Sequence, residues 1–379
     1  MPKLRTPAAV LALAVALPLV TAPAARAAAL VTELPGLSGY PNHYVTAVND
    51  LGQVVGTAYG NGTSHAVRWA RDNTATDLGE GHAAGLNQVG QVLGLVQVPE
   101  LGPYVQQPWI WHEGEVTDIT PGGSGWVGAT AINNRGEVPM TYSTSPYGYH
   151  QEGATVWRGT KHEGLSVGGG AHLSLSAIND AGMVVGSKAP MFGPPDNYAF
   201  RCDAAGNCAR LAAAPGSGWY SVRAINEAGV VAGSRDALAL RWEGDAVTVL
   251  STSGGVAPGT QAINERGDVV GWSTESGVRR ATLWPAGGGS VDLGVPGPSL
   301  AVAINDRGDV IGWTTADNAN APRAFVWRAG KVLYLGSPRG THSRPTALNE
   351  RGVIVGDSTA ADGTVKAVKW TLITATPQR

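Results

Sequence analysis

The chain has 379 residues, a formal net charge of −2 and only 15% charged residues. Nucleic-acid binding needs a positive field, and no basic run supplies one. With 53 glycines, 12 tryptophans and 3 phenylalanines, it is a chain of many turns and a few large rings, the composition of an all-β fold.

The first stretch reads as a leader. Met1-Pro2-Lys3-Leu4-Arg5 is a basic start, residues 8–20 are an apolar run interrupted by Pro18, and Ala25-Arg26-Ala27 gives an A-x-A cleavage signal. The run is short for a spanning helix and leads into that signal, which sets it apart from a membrane anchor. The expectation is a secretory signal peptide over 1–27 and a single domain over 28–379. The mature protein is then secreted and extracellular, a monomer with no membrane span after cleavage.

Beyond the leader one pattern recurs eight times. Its cleanest copy is Ala303-Ile304-Asn305-Asp306-Arg307-Gly308-Asp309-Val310-Ile311-Gly312. The repeated Asn falls at 49, 87, 133, 179, 226, 264, 305 and 349, and a Gly follows three residues later every time. Asn opens a four-residue turn in which its side chain accepts from backbone amides. The Gly supplies positive φ, and β-formers flank the turn. The unit is therefore a β-hairpin. A second glycine closes it in seven copies, from Gly56 to Gly356; the exception is Met140, preceded by Pro139. Proline lacks the ladder donor, so the pair predicts an ended or bulged strand.

A third strand ends in Trp69, Trp111, Trp157, Trp242, Trp284, Trp327 and Trp370, with Cys202 in that place in the fourth copy. These positions are 40 to 46 residues apart. A fourth strand follows, as in Val116-Thr117-Asp118-Ile119. Four short strands in about 40–45 residues form a β-propeller blade. Leu30-Val31-Thr32-Glu33-Leu34-Pro35 matches the fourth-strand pattern, and the last repeat has no clear fourth strand. The prediction is an all-β, eight-bladed propeller of four-stranded blades, closed by an N-terminal strand that completes the last blade. Thr371-Leu372-Ile373-Thr374 is β-prone and either extends the third strand of that blade or competes for its edge.

His65-Ala66-Val67, Tyr198-Ala199-Phe200 and Arg323-Ala324-Phe325, with the Ala-Ile-Asn-x-x-Gly-x-Val-Val-Gly segment and the Asp-Leu-Gly strand, resemble the HAF repeat family of extracellular repeats. The resemblance covers essentially all of the chain after the leader. It implies a secreted repeat protein and brings no activity and no catalytic residues.

The two cysteines, Cys202 and Cys208, flank a turn that carries Ala-Gly-Asn, and outside the cell they are expected to pair across it. From the second strand-b glycine position to the Trp position the repeats count 13, 17, 17, 16, 9, 13, 15 and 14 residues. The longest loops thus cluster in repeats two to four, and they carry Tyr104, Tyr142, Tyr147, Tyr149, His150 and Phe192. His43, His82, Trp126, His172, Trp219 and His342 lie five to seven residues before their repeat Asn, which places them near one end of the channel. Tyr104, Tyr142, Tyr147, Tyr149, His150, Phe192, His82, Trp126, His172 and Trp219 are the candidate ligand-binding residues, acting by stacking and hydrogen bonding. The bland alternative for each is packing between blades or capping a strand.

No G-x-S-x-G elbow, phosphate loop or H-E-x-x-H motif occurs. Asn305 to Asp309 faintly resembles a calcium loop without its spacing or terminal Glu. A quinone-cofactor dehydrogenase would carry adjacent cysteines, which this chain lacks. The expectation is no cofactor, no metal and no catalytic residue: a non-catalytic binding or scaffold protein for an extracellular glycan or peptide, or for a protein partner. The alternative is a polysaccharide lyase or hydrolase on the same face, assembled from Glu100, Asp196, His150 and Tyr149.

Overall fold

The computed structural model describes residues 28–102, 105–145, 153–167, 171–190, 197–250, 256–316, 321–338, 340 and 342–373. They form eight four-stranded antiparallel sheets, and no described residue lies in a helix. β1 (Ala28–Glu33) precedes blade 1, which is β2 (Asn42–Val48), β3 (Val54–Gly60), β4 (Thr63–Trp69) and β5 (Ala75–Glu80). Blade 2 is β6 (His82–Leu86), β7 (Val92–Gln97), β8 (Gln106–His112) and β9 (Glu115–Asp118). Blade 3 is β10 (Trp126–Ala129), β11 (Glu137–Ser143), β12 (Gly153–Arg158) and β13 (His162–Gly164). Blade 4 is β14 (Ala171–Ile178), β15 (Val184–Pro190), β16 (Tyr198–Cys202) and β17 (Cys208–Arg210). Blades 5 to 7 hold β18–β21, β22–β25 and β26–β29 over residues 220–249, 256–292 and 299–334. Blade 8 is β30 (His342–Leu348), β31 (Val353–Thr359) and β32 (Val365–Ile373), with β1 as its outer strand.

The closing strand is where the sequence put it. β1 pairs with β32 from Ala28↔Ile373 to Glu33↔Val368. Thr371, Leu372 and Ile373 extend the third strand of the last blade and pair with β1, so they do not compete with it. β1 thus covers the outer edge of β32 and becomes the outer strand of this sheet.

The repeated turn explains how the blades hold each other. In all eight copies the Asn Oδ1 accepts the backbone N–H four residues on, at 2.8–3.0 Å. The Gly between them has φ from +75° to +87°. The Asn Nδ2 points the other way and donates to the backbone carbonyl of the next blade's Asn. This runs from Asn49 to Asn87 and onward around the circle until Asn349 donates to Asn49, at 2.9–3.2 Å. Every one of these asparagines is buried.

The residue after each Asn builds a second circle. Its backbone N–H donates to the side-chain oxygen of its counterpart in the next blade, from Asp50 to Gln88 and round to Glu350 and Asp50, at 2.8–3.0 Å. Asp, Glu, Asn and Gln interchange at this position because each carries an acceptor oxygen at the end of a short side chain. Six of the eight are carboxylates. Burial, followed by the neighbouring negative charges, raises Glu265 and Glu350 above the usual carboxylate range.

The core lies between blades. Trp69, Trp242, Trp284 and Trp370 are fully buried. The indole N–H of Trp69, Trp242 and Trp370 donates to a carbonyl of the preceding interblade linker, at Pro35, Ala212 and Gly336 respectively. Trp111, Trp157 and Trp327 are only half-buried, a departure from one uniform role. In blades 2 and 7 a ring two residues earlier, Trp109 or Phe325, takes the buried place. Phe200 does so in blade 4, where Cys202 and Cys208 are paired strand to strand and joined by a disulfide.

These rings sit directly opposite the second strand-b glycine, as Gly94↔Trp109, Gly186↔Phe200 and Gly312↔Phe325. A Cβ on Gly94 would meet Trp109 Cζ2 at 2.0 Å. Blade 3 has Thr155 opposite Met140, so no ring needs that space, and the buried Met140 side chain fills it. Pro139 neither ends nor bulges its strand, contrary to expectation: β11 runs unbroken from Glu137 to Ser143 and pairs in register with β12. The missing donor acts instead on the other ladder, where pairing of β10 with β11 stops at Ala129↔Met140.

Candidate ligand-binding site

The first strands line the channel, and they start at the face opposite the asparagine circles. His82 opens β6, Trp126 opens β10, His172 is second in β14, and Trp219 immediately precedes β18 (Tyr220–Ile225). These four side chains border one cavity of about 740 Å³ that spans blades 2 to 5. Gln106, Thr141 and Lys188 border it from the second and third strands, and Asn197 from just before β16.

The short β10 is what shapes this opening. Seven first strands carry a register shift three residues before the repeat Asn, as between Val45 and Ala47 or Leu175 and Ala177. Blade 3 has none, because its ladder has already stopped. Thr130, just past that end, is exposed in the cavity and donates its hydroxyl to the Leu175 carbonyl at 3.1 Å.

The wall combines flat rings with a few polar groups. Trp126 lies against Gly128 of its own strand, where a Cβ would come within 2.7 Å of the indole. Trp219 is 62% exposed, and its ring meets His172 edge-on at 6.5 Å and 70°. Burial lowers the His82 pKa, so its imidazole is neutral at pH 7. The Lys188 ammonium donates to the Val167 carbonyl at 2.7 Å. Asn197 borders the cavity, and its Oδ1 is buried without a hydrogen-bond partner. Tyr220 is already engaged: its hydroxyl accepts the Ala214 N–H at 3.0 Å, and Arg235 stacks on its ring at 4.6 Å. Among the described residues this wall carries no Asp or Glu. Nor do the described residues bring three or more His, Cys, Asp or Glu together in a metal-holding group.

Of the residues singled out from sequence, the fold thus brings His82, Trp126, His172 and Trp219 together. Tyr142 is not part of that wall; it is half-buried against the core between blades 2 and 3 and packs over Gly153. Tyr104, Tyr147, Tyr149, His150 and Phe192 lie outside the described residues, as does Asp196. Glu100 is on an exposed turn away from the cavity wall. His43 is fully packed: its Nε2 accepts the Leu37 N–H at 2.9 Å, and its ring meets Trp69 edge-on at 6.5 Å. His342 borders a different cavity, at the seam of blades 8 and 1.

Sequence reasoning passed over Lys188, Asn197 and Gln106, for which no repeat signal exists. It also passed over Asp357, for which one did. Asp357 follows the second strand-b glycine, a place where no other repeat carries a charged residue.

Fold and cleft together define an eight-bladed β-propeller with an aromatic and imidazole-lined mouth. No family model and no curated protein matches the chain. Solved structures do. A streptogramin B lyase superposes with a TM-score of 0.50 at 10% identity, over 91% of this chain and 98% of that one. Dipeptidyl peptidase 4 of Porphyromonas gingivalis gives 0.56 at 11% identity, over 83% of this chain and 57% of that one. An acylaminoacyl peptidase of Pyrococcus horikoshii gives 0.51 at 8% identity, over 90% and 54%. At such identities the likeness is one of fold.

Proposed function

We propose that the protein is a secreted, non-catalytic binding propeller that takes a glycan or peptide at the mouth of blades 2 to 5. The observation that carries this reading is the meeting of two indoles and two imidazoles on one cavity wall. Indole faces stack on sugar C–H groups or on apolar side chains, while Asn197, Gln106 and Lys188 supply the directional polar contacts. The leader over 1–27, the HAF resemblance and the Cys202–Cys208 bridge support an extracellular setting.

The test is retention on glycan and peptide arrays. Trp126→Ala combined with Trp219→Ala should weaken retention of any hit by about tenfold or more, since each ring is worth on the order of 1 kcal/mol. Circular dichroism and Tm should stay near wild type, because neither ring is fully buried. Undiminished retention removes this mouth from consideration.

A second reading is polysaccharide lyase or hydrolase chemistry on the same face. It is favoured by one group: burial pushes Asp357 up to about 7, which suits proton transfer near neutral pH. Products released from incubated polysaccharides would replace the binding reading with this one.

A further inference from the structure

The channel mouth holds a second cavity, of about 340 Å³, between β30 and β31 of blade 8 and β2 of blade 1. Asp357 stands in its wall, directly opposite Arg344 in the β30–β31 ladder. Its Oδ1 accepts the Val45 backbone N–H at 2.9 Å, which ties the carboxyl to the neighbouring blade. The Arg344 guanidinium is exposed and stacks 5.2 Å from the Trp313 ring centre. Among the described residues no salt bridge joins it to a carboxylate.

Tyr44 is shared with an adjoining hollow of about 600 Å³, where Asn42, Thr46 and Tyr59 also stand. The Tyr44 and Tyr59 rings meet edge to face at 5.5 Å, and they are 41% and 42% exposed. Two open phenol rings beside an amide and a hydroxyl, next to an exposed arginine that faces Asp357 and has no salt bridge among the described residues, is a chemically specific combination.

We propose that this seam binds an acidic sugar, a hexuronate residue, with its carboxylate against Arg344 and Asp357 and its ring on Tyr44 and Tyr59. The planar guanidinium fork matches a carboxylate bidentately. Below about 7 the Asp357 carboxyl is protonated and donates its O–H to the sugar carboxylate; above it, two negative groups face each other. The other titratable and charged groups on the strands packed around Asp357 are His342 and Arg344 on β30, His43 and Tyr44 on β2, and Lys366 and Lys369 on β32. Tyr59 stands behind Tyr44. The site shares the mouth with the Trp126 cleft but none of its stacking residues, so either can fail while the other holds.

Wild-type protein is titrated with D-galacturonate and with D-galactose by ligand-observed NMR, at about pH 6 and about pH 8.5. Galacturonate should bind about tenfold tighter than galactose at the lower pH and lose about tenfold at the higher. Arg344→Ala should erase the preference. Asp357→Asn should keep it and flatten the pH dependence, because an amide donates at either pH. His342→Gln should leave the fall with pH in place.

Equal binding of the two sugars by wild type, or binding of neither, overturns the proposal without any variant. So does a preference that survives Arg344→Ala in a protein of unchanged Tm. A pH dependence that persists in Asp357→Asn and vanishes in His342→Gln overturns the part assigned to Asp357.

Discussion

The asparagine circle makes a quantitative claim at Asn226. This side chain is 3% exposed and makes two hydrogen bonds: its Oδ1 accepts the Val230 N–H at 2.8 Å, and its Nδ2 donates to the Asn264 carbonyl at 3.0 Å. Asn226→Ala orphans the buried Val230 N–H and removes one of two bonds to the Asn264 carbonyl, which still accepts the Gly267 N–H at 3.0 Å. The orphaned N–H costs about 1–3 kcal/mol and the lost bond to the carbonyl about 1 kcal/mol, so the loss should be about 2–4 kcal/mol. Asn226→Asp separates the two bonds. It keeps the acceptor for Val230 but sets a carboxylate oxygen against the Asn264 carbonyl, where a donor is required. At neutral pH it should therefore be destabilised by at least about 2 kcal/mol despite being isosteric. The introduced carboxyl, facing a carbonyl and removed from water, has its folded-state pKa raised. Its stabilising contribution is complete in acid and lost as pH rises, so this variant should recover as pH falls towards about 4. Equilibrium urea unfolding followed by tryptophan fluorescence reads all of this. An Asn226→Asp protein within about 0.5 kcal/mol of wild type at neutral pH would show that the interblade bond contributes nothing.

Three further outcomes follow from the packing and the charges. Removing residues 28–33 takes away the outer partner of β32, leaving it paired with β31 alone, and should lower Tm sharply; an unchanged Tm would mean that β1 does not close the ring in solution. Gly94→Ala places a methyl 2.0 Å from Trp109 and should destabilise by about 1–3 kcal/mol in denaturant titrations, whereas the same change at the open Gly62 tip should cost through its φ of +81° alone. For Asp357 the folded-state pKa of about 7 lies above the ordinary 3.8, so its contribution is whole below about 3.8 and gone once pH passes about 7. Wild-type stability should fall across that window by at most about 4 kcal/mol relative to Asp357→Asn, and parallel pH curves for the two proteins would contradict the shift.

The blade count, the closing strand and the bridged hairpin were legible because each is written locally: Asn and Gly three apart, a fourth-strand pattern ahead of the first repeat, two cysteines across a short turn. What no single repeat could reveal is where the asparagine Nδ2 points, since its partner is another copy of itself 38 to 47 residues along the chain, or 300 back at the closure. Nor does the repeated Trp position say which ring is buried in each blade. One interblade space admits one ring, and Trp109, Phe200 or Phe325 occupies it wherever the strand offers a ring directly opposite the glycine. Pro139 was correctly marked as a disturbance, but its effect fell on the neighbouring ladder, because a strand has two edges and sequence does not say which one needs the missing N–H.

That displaced effect links scaffold to site. Both asparagine-turn circles lie at one end of the channel and bind every blade to the next through groups that tolerate only a narrow set of side chains. Among the described residues the opposite end has no such circle, and its first strands differ in length and content. Blade 3 departs most: Pro139 stops its inner ladder at Ala129, no register shift follows, and Thr130 and the Trp126 ring face open space. Blade 8 departs differently, keeping a full ladder but placing Asp357 and Arg344 opposite each other. The hollow of blade 1 carries Tyr44, which also borders the Asp357 cavity, and His82, which also borders the Trp126 cleft. One mouth therefore carries an indole platform on one side and a carboxyl with a guanidinium on another. A chain that lay along it would meet apolar stacking at one end and charge at the other, and its orientation would be set by that difference.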